Sequence, residues 1–210
     1  MKTEQAFVGA RGVDSLPFSQ GGTMTQAQAL KASGVDFFVG YLGAMNPARI
    51  AILLSAGLAF MPVTFAGEYF DGADDELSQL KALGLPPGCT VWLDLEGDKS
   101  YKWPTNDLIR LINDWAVKII AAGYQPGLYV GSPQPLTGEE LAALQVVRYW
   151  KAPSRVVDRN GRAWDSPGSI GFCMFQMWPQ GNWKDTGVFV DVNIIGQDFR
   201  GRVPNWVVAS

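Results

Sequence analysis

The 210-residue sequence contains no histidine. That excludes Ser-His-Asp and Cys-His triads, histidine general bases and zinc sites with imidazole ligands. Acid–base chemistry must then come from carboxylates, tyrosine, lysine or cysteine. Cysteine is nearly absent too. Cys89 and Cys173 cannot build a disulfide framework or a CxxC site, and two reduced core thiols are the expectation. Basic residues do not dominate: 17 Lys and Arg stand against 20 Asp and Glu, a net charge of −3, so no nucleic-acid footprint is expected. Long apolar runs are missing. Ile50–Met61 is interrupted by Gly57 and is too short to span a bilayer. No apolar stretch follows Met1-Lys2-Thr3-Glu4-Gln5, so neither signal peptide nor membrane association is expected. The expectation is a cytoplasmic protein until it is released or exported by a non-classical route. Repeats, low-complexity tracts and inter-domain linkers are also lacking, which leaves one domain over 1–210 with a core over about 10–200.

What is present is an apolar fraction of 47% and an aromatic fraction of 12%, including 8 Trp. These suit a packed globular domain. Short apolar runs alternate with helix-length segments. Strands are predicted at Phe37–Tyr41, Leu58–Phe65, Thr90–Leu95, Gly127–Val130 and Val147–Trp150. Between them lie helices from Thr23, Pro47, Ala73, Asp107 and Gly138, four of which stop at Gly34, Gly57, Gly84 and Gly123. The strongest helical period belongs to Leu108, Leu111, Ile112, Trp115, Ile119 and Ile120. After Pro153 the helices fade. Phe172–Trp178 and Val188–Ile194 read as strands joined by loops. The order predicts an α/β fold with a TIM-like barrel: about five βα units, then three strands with degenerate helices. An open doubly wound sheet is the alternative.

The carboxylates follow the strand period. In Thr90–Glu96 one face is Val91, Leu93 and Leu95. The other carries Trp92, Asp94 and Glu96, whose two carboxylate residues have Cα atoms about 6.6 Å apart. The last strand repeats this, with Val188, Val190, Val192 and Ile194 opposite Phe189, Asp191 and Asn193. In the first strand Asp14 falls opposite Val13. Asp14, Asp94, Glu96 and Asp191 thus converge on one mouth, where barrel folds place their chemistry. A single aspartate at a strand end caps a helix or shapes a turn. Four of them, each behind an apolar face, form a candidate catalytic cluster. Tyr41, Tyr129, Trp150 and Trp178 fall at strand ends, where they could line a binding groove or pack the barrel. Trp164 and Trp183, in polar loops, are expected to be exposed. Glu68 is a further candidate at the mouth, whereas Asp71, Asp74, Asp75 and Glu76 read as a helix N-terminus. No metal site or cofactor is expected.

Gly12-Val13-Asp14-Ser15, Leu93-Asp94-Leu95-Glu96, the Gly123–Gly131 strand, Phe175-Gln176-Met177-Trp178 and Val190-Asp191-Val192-Asn193 occur in the order found in glycoside hydrolase family 25 lysozymes. The chain resembles that family and, through Phe38-Val39-Gly40-Tyr41-Leu42, a related glycoside-hydrolase-like domain of unknown function. It departs from the lysozymes at Val63-Thr64-Phe65, where they carry Tyr-His-Phe. The resemblance implies a barrel of five βα units and three further strands. It also implies a peptidoglycan hydrolase of muramidase type, such as a phage lysin, a prophage product or an exported effector, acting as a monomer on peptidoglycan or a related polysaccharide. By resemblance Glu96 is the general acid, and neighbouring anions would keep it protonated. Asp94 and Asp191 would stay ionised, Asp14 would orient them or bind a sugar hydroxyl, and Gln176 would contact substrate. A barrel that binds glycan without cutting it, or serves a structural role, is the alternative function.

Overall fold

The computed structural model describes residues 1–65, 73–95 and 103–210, with the side chains of 178–180 and 185 left aside. Twelve strands are described: β1 (Lys2–Gln5), β2 (Arg11–Asp14), β3 (Phe37–Tyr41), β4 (Ala59–Phe65), β5 (Thr90–Leu95), β6 (Gln125–Val130), β7 (Arg148–Lys151), β8 (Val156–Val157), β9 (Ala163–Trp164), β10 (Met174–Asn182), β11 (Phe189–Ile195) and β12 (Asn205–Val208). The helices are α1 (Leu16–Gly21), α2 (Met24–Ala32), α3 (Pro47–Ser55), α4 (Ala73–Ala82), α5 (Thr105–Ala121) and α6 (Gly138–Ala142).

Eight strands close on themselves in the order β2-β3-β4-β5-β6-β7-β10-β11, and β11 pairs back onto β2. From β2 to β10 the neighbours are parallel. Helices connect the first six strands, giving the five βα units and helix-poor remainder that the sequence predicts. The architecture is a TIM-like α/β barrel. One strand runs against expectation: β11 is antiparallel to both β10 and β2. A loop with a single 3₁₀ turn, Trp183–Asp185, brings the chain straight back from β10, whereas a parallel strand would need a full crossover.

Local chemistry explains the helix ends. Thr23 caps α2 and Thr137 caps α6, each in a capping box, with Gln26 and Glu140 reaching back. Asn46 caps α3 ahead of Pro47. Gly57 and Gly123, at φ 80° and 88°, stop α3 and α5 in a conformation that β-carbons resist. Helix α5 buries Leu108, Ile112, Trp115, Ala116 and Ile119 on the barrel wall. Each large apolar side chain there contributes roughly 1.5–3 kcal/mol. Ile120, one position round from that stripe, is exposed.

The strand alternation makes two separate cores. Outward residues such as Val13, Phe38, Phe60, Leu93 and Leu128 pack under the helices. Inward residues, among them Phe37, Val39, Met61, Trp92, Tyr129 and Trp150, fill the barrel. Two glycines make that filling possible. A Cβ on Gly12 would lie 2.1 Å from the Phe37 ring, and one on Gly127 would lie 2.4 Å from the Trp92 ring. The floor comes from outside the core expected over 10–200. β1 pairs with β12, β12 meets β4 at Val207 and Phe60, and Trp206 lies against Phe37 with ring centroids 5.8 Å apart.

The polar stretch after Pro153 is pinned rather than loose. Arg159 donates to both carboxylate oxygens of Glu140, at 2.5 and 2.7 Å, and these bonds hold the Glu140 pKa down to about 2. Trp164 and Trp183 are half-buried, contrary to the exposure expected from their polar surroundings. Trp164 stacks on Phe172, and the Trp183 indole donates to Ser33 Oγ at 2.7 Å.

Glu76 stands in the first turn of α4, as the sequence predicts, but not at the surface. It is buried between α4 and α5, where its carboxylate accepts from the Trp115 indole. Burial pushes its pKa up to about 7, and hydrogen bonding by Trp115 and Thr64 only partly offsets this. An acid with a raised folded-state pKa favours folding at low pH. Its contribution falls as pH climbs from 4.5 to about 7 and is then constant. The shift corresponds to roughly 3 kcal/mol. Glu76→Gln, which keeps an acceptor for Trp115, is expected to match wild type at pH 4.5 and exceed it by about 2–3 kcal/mol at pH 8. Urea denaturation at both pH values measures the difference, and an equal effect at both would refute a titrating Glu76.

Candidate functional site

The barrel mouth is assembled by register. Asp14 ends β2, and the antiparallel β11 sets Asp191 directly across from it. Because β11 runs in reverse, Asp191 reaches the mouth from the beginning of its strand. Asp94 lies on the inward face of β5, in register with Tyr129 on β6. Tyr129 in turn is level with Trp150 on β7. Gln176 on β10 is level with Asn193 on β11, and Asn193 with Gly12 on β2. Inward residues therefore trace an arc of hydrogen-bonding side chains from Asp94 through Tyr129, Gln176 and Asn193 to Asp14.

Two bonds tie the arc together. The Tyr129 hydroxyl donates to Gln176 Oε1 at 2.5 Å, reaching over the intervening β7. The Asn193 amide donates to Asp14 Oδ2 at 2.7 Å. Asp14, Asp94, Tyr129, Gln176 and Asn193 are all buried. Buried acids need partners or a purpose, and the arc supplies ordered dipoles on one side of the mouth.

Ser15 holds the rim. Its hydroxyl accepts from the Phe18 backbone N–H as the cap of α1 and donates to the Phe189 carbonyl at 2.7 Å. One side chain thus fixes the start of α1 against the start of β11. Between them opens a cleft of about 190 Å³ lined by the Asp14–Pro17 segment, Tyr41 and the Phe189–Asp191 segment. Leu16 and Phe189, 47% and 61% exposed, form its apolar lip. No lysine or arginine is among its described lining residues.

The sequence-derived candidates separate into groups. Asp14, Asp191 and Tyr41 share the cleft. Asp94, Tyr129 and Gln176 lie on the inward face around the same mouth. Trp150 is inside the barrel, its ring packed between Trp92 and Tyr129 at centroid distances of 5.8 and 4.5 Å. Its buried ring therefore occupies a packing position. Trp178 is carried by β10, its side chain outside the description; Glu68 and Glu96 lie outside the described residues. Leu16, Ser15 and Phe189 were not singled out from sequence as site residues. For Phe189 the signal existed, since it is two residues from Asp191 on the same strand face. Among the described residues no group of three or more Cys, Asp or Glu could hold a metal ion, and no helix is long and apolar enough to cross a membrane.

No protein-family model matches the sequence. No curated protein matches it either. Solved structures do share its fold. An uncharacterized protein from B. stearothermophilus superimposes with a TM-score of 0.69 at 18% identity, over 90% of this chain and 96% of the other. A bacterial lysozyme from Streptomyces coelicolor gives a TM-score of 0.61 at 15% identity, over 91% and 94%. The catalytic domain of an endolysin from a bacteriophage of Listeria monocytogenes gives 0.54 at 20%, over 91% and 95%. At such identities the likeness is one of fold. The chain shares the barrel fold of this bacterial lysozyme and this endolysin catalytic domain.

The double role of Ser15 has a measurable consequence. Ser15→Ala removes a helix cap and a buried donor, and is expected to cost about 1–3 kcal/mol of stability. Ser15→Thr, which keeps the hydroxyl, should recover part of it. Denaturant midpoints of the two variants report the difference, and an unchanged Ser15→Ala midpoint would show that the rim is held by other contacts.

Proposed function

We propose that the chain, acting as a single domain and as a monomer, is a muramidase-like peptidoglycan glycoside hydrolase. The observation that carries this reading is the register placing Asp191 opposite Asp14, with Asp94 on the inward face of the same barrel. Glycoside cleavage requires a proton donor to the leaving oxygen and a carboxylate that stabilises the oxocarbenium-like centre or activates water. Carboxylates meet both needs, as a chain without histidine demands.

In this reading Glu96, two residues after Asp94 in the sequence, gives its proton to the glycosidic oxygen as the C–O bond breaks. Water then supplies hydroxide to the sugar carbon, and its remaining proton restores the carboxylic acid. Asp94 and Asp191 act as carboxylates, one of them facing the reacting carbon, and Asp14 orients substrate from a position fixed by Asn193. The buried aromatic filling of Trp92, Tyr129 and Trp150 gives these charges a low-dielectric setting, where their effect on a developing cation is greatest. Tyr41 contacts sugar in the cleft. Gln176 and Tyr129 brace the arc and meet the substrate from below, and Glu68 and Trp178 are further substrate contacts in this reading. The fold shared with a bacterial lysozyme and a phage endolysin catalytic domain supports peptidoglycan as the polymer, and a phage or prophage setting is consistent with it.

Zymography on peptidoglycan tests the proposal. Wild type should clear the gel, and Glu96→Gln should lose about 100-fold or more in rate while still binding the polymer. Asp191→Asn should lose rate with an unchanged or raised Tm, because removing one of two facing charges relieves repulsion. The rate should be bell-shaped in pH with an acidic to near-neutral optimum. Polymer binding by wild type without clearing would replace this reading with a non-catalytic glycan-binding barrel.

A further inference from the structure

The cleft beside the carboxylates has a composition that selects its occupant. Its floor carries Asp14, Asp191 and Tyr41, and its lip carries Leu16 and Phe189. Phe189 is 61% exposed although it belongs to the strand that closes the barrel. The alternation that turns Asp191 inward also brings Phe189 to the same face, one step nearer solvent. The Ser15 hydroxyl grips the Phe189 carbonyl, so the ring projects from a fixed backbone. A large apolar side chain held in solvent at the edge of a polar cleft is the arrangement that binds a ring with one apolar and one polar face.

A pyranose has these two faces. Its axial C–H groups suit an aromatic platform, and its hydroxyl and amide N–H groups are donors that carboxylates accept. The charge adds a second selection. Two carboxylates line the cleft, so a carboxylate or phosphate directed into it would meet repulsion from them. The volume, about 190 Å³, is of the order of one sugar ring.

Building on the hydrolase reading above, we infer that Phe189 with Leu16 forms a stacking platform for one uncharged N-acetylated sugar ring, whose hydroxyl and amide donors point at Asp14 and Asp191. Phe189 is thereby a specificity-determining residue of the groove. It holds the ring and takes no part in proton transfer.

The test uses the full chain, the neutral N-acetylglucosamine tetramer as probe, and isothermal titration calorimetry. Phe189→Ala should weaken binding about three- to tenfold, the range for loss of a stacked aromatic contact. Phe189→Trp should stay within about twofold of wild type, and Phe189→Leu, apolar but not planar, should resemble alanine. Thermal melts of all three should match wild type, since the ring is exposed. A tetramer whose rings bear carboxylates should bind at least tenfold more weakly than the neutral one to wild type. Wild-type affinity in Phe189→Ala, equal affinity in Phe189→Leu and wild type, or no preference for the neutral probe would each overturn the platform while leaving peptidoglycan clearing intact. Absence of both tetramer binding and clearing in wild type would instead remove the hydrolase reading, and the platform with it.

Discussion

The pairing of β11 with β2 is the contact on which the mouth depends. It closes the barrel, and it fixes two carboxylates across from one another. Several contacts hold this register. Val190 and Val192 face the helix layer, Asn193 donates to Asp14, and Ser15 grips the first carbonyl of the strand. A slip of one residue would turn the valines inward and the aspartate outward. The apolar face therefore enforces the position of the acid, and stability of the wall and geometry of the site are one constraint.

The reversed direction of β11 shapes the rest of that side. A parallel eighth strand would have needed a crossover helix on the outside. The short return through Trp183 removes that need, and the indole anchors the turn to Ser33 at the end of α2. The outer layer is consequently thick around β2 to β6 and thin around β10 and β11. On the thin side the cleft opens beside an exposed phenylalanine; on the thick side Trp115 and Glu76 pack between helices.

Much of this was legible in sequence because strand alternation is a local property. Val91, Leu93 and Leu95 against Trp92 and Asp94 needed only a period of two, and the structure has that division. Strand direction was not legible, since an alternating pattern reads the same in either sense; Asp191 reached the expected mouth by an unexpected route. The floor strands escaped notice for another reason. Lys2–Gln5 is polar and mostly exposed, and Asn205–Val208 is four residues long, so neither carries an apolar period. Helix α1 is six residues, too short for a helical repeat to show. Burial of Glu76, Trp164 and Trp183 comes from distant neighbours, and their polar sequence contexts gave no hint of it. Of the four proposed catalytic acids, Asp14, Asp94 and Asp191 have places in the described barrel, and Glu96 rests on its motif.

Gly12 and Gly127 carry a consequence that extends beyond this one chain. Each is the missing half of an aromatic ring's space: Phe37 occupies what a side chain at 12 would need, and Trp92 what one at 127 would need. The members of each pair belong to neighbouring strands yet cannot vary independently. A drifting sequence could acquire alanine at 12 only alongside a smaller residue at 37, and the same holds for 127 with 92. Such coupled substitutions change the interior by volume exchange between two walls, leaving the total nearly constant. In lineages that keep the acids at the mouth, these two pairs should be inherited as units, with correlated exchange of size between the partners.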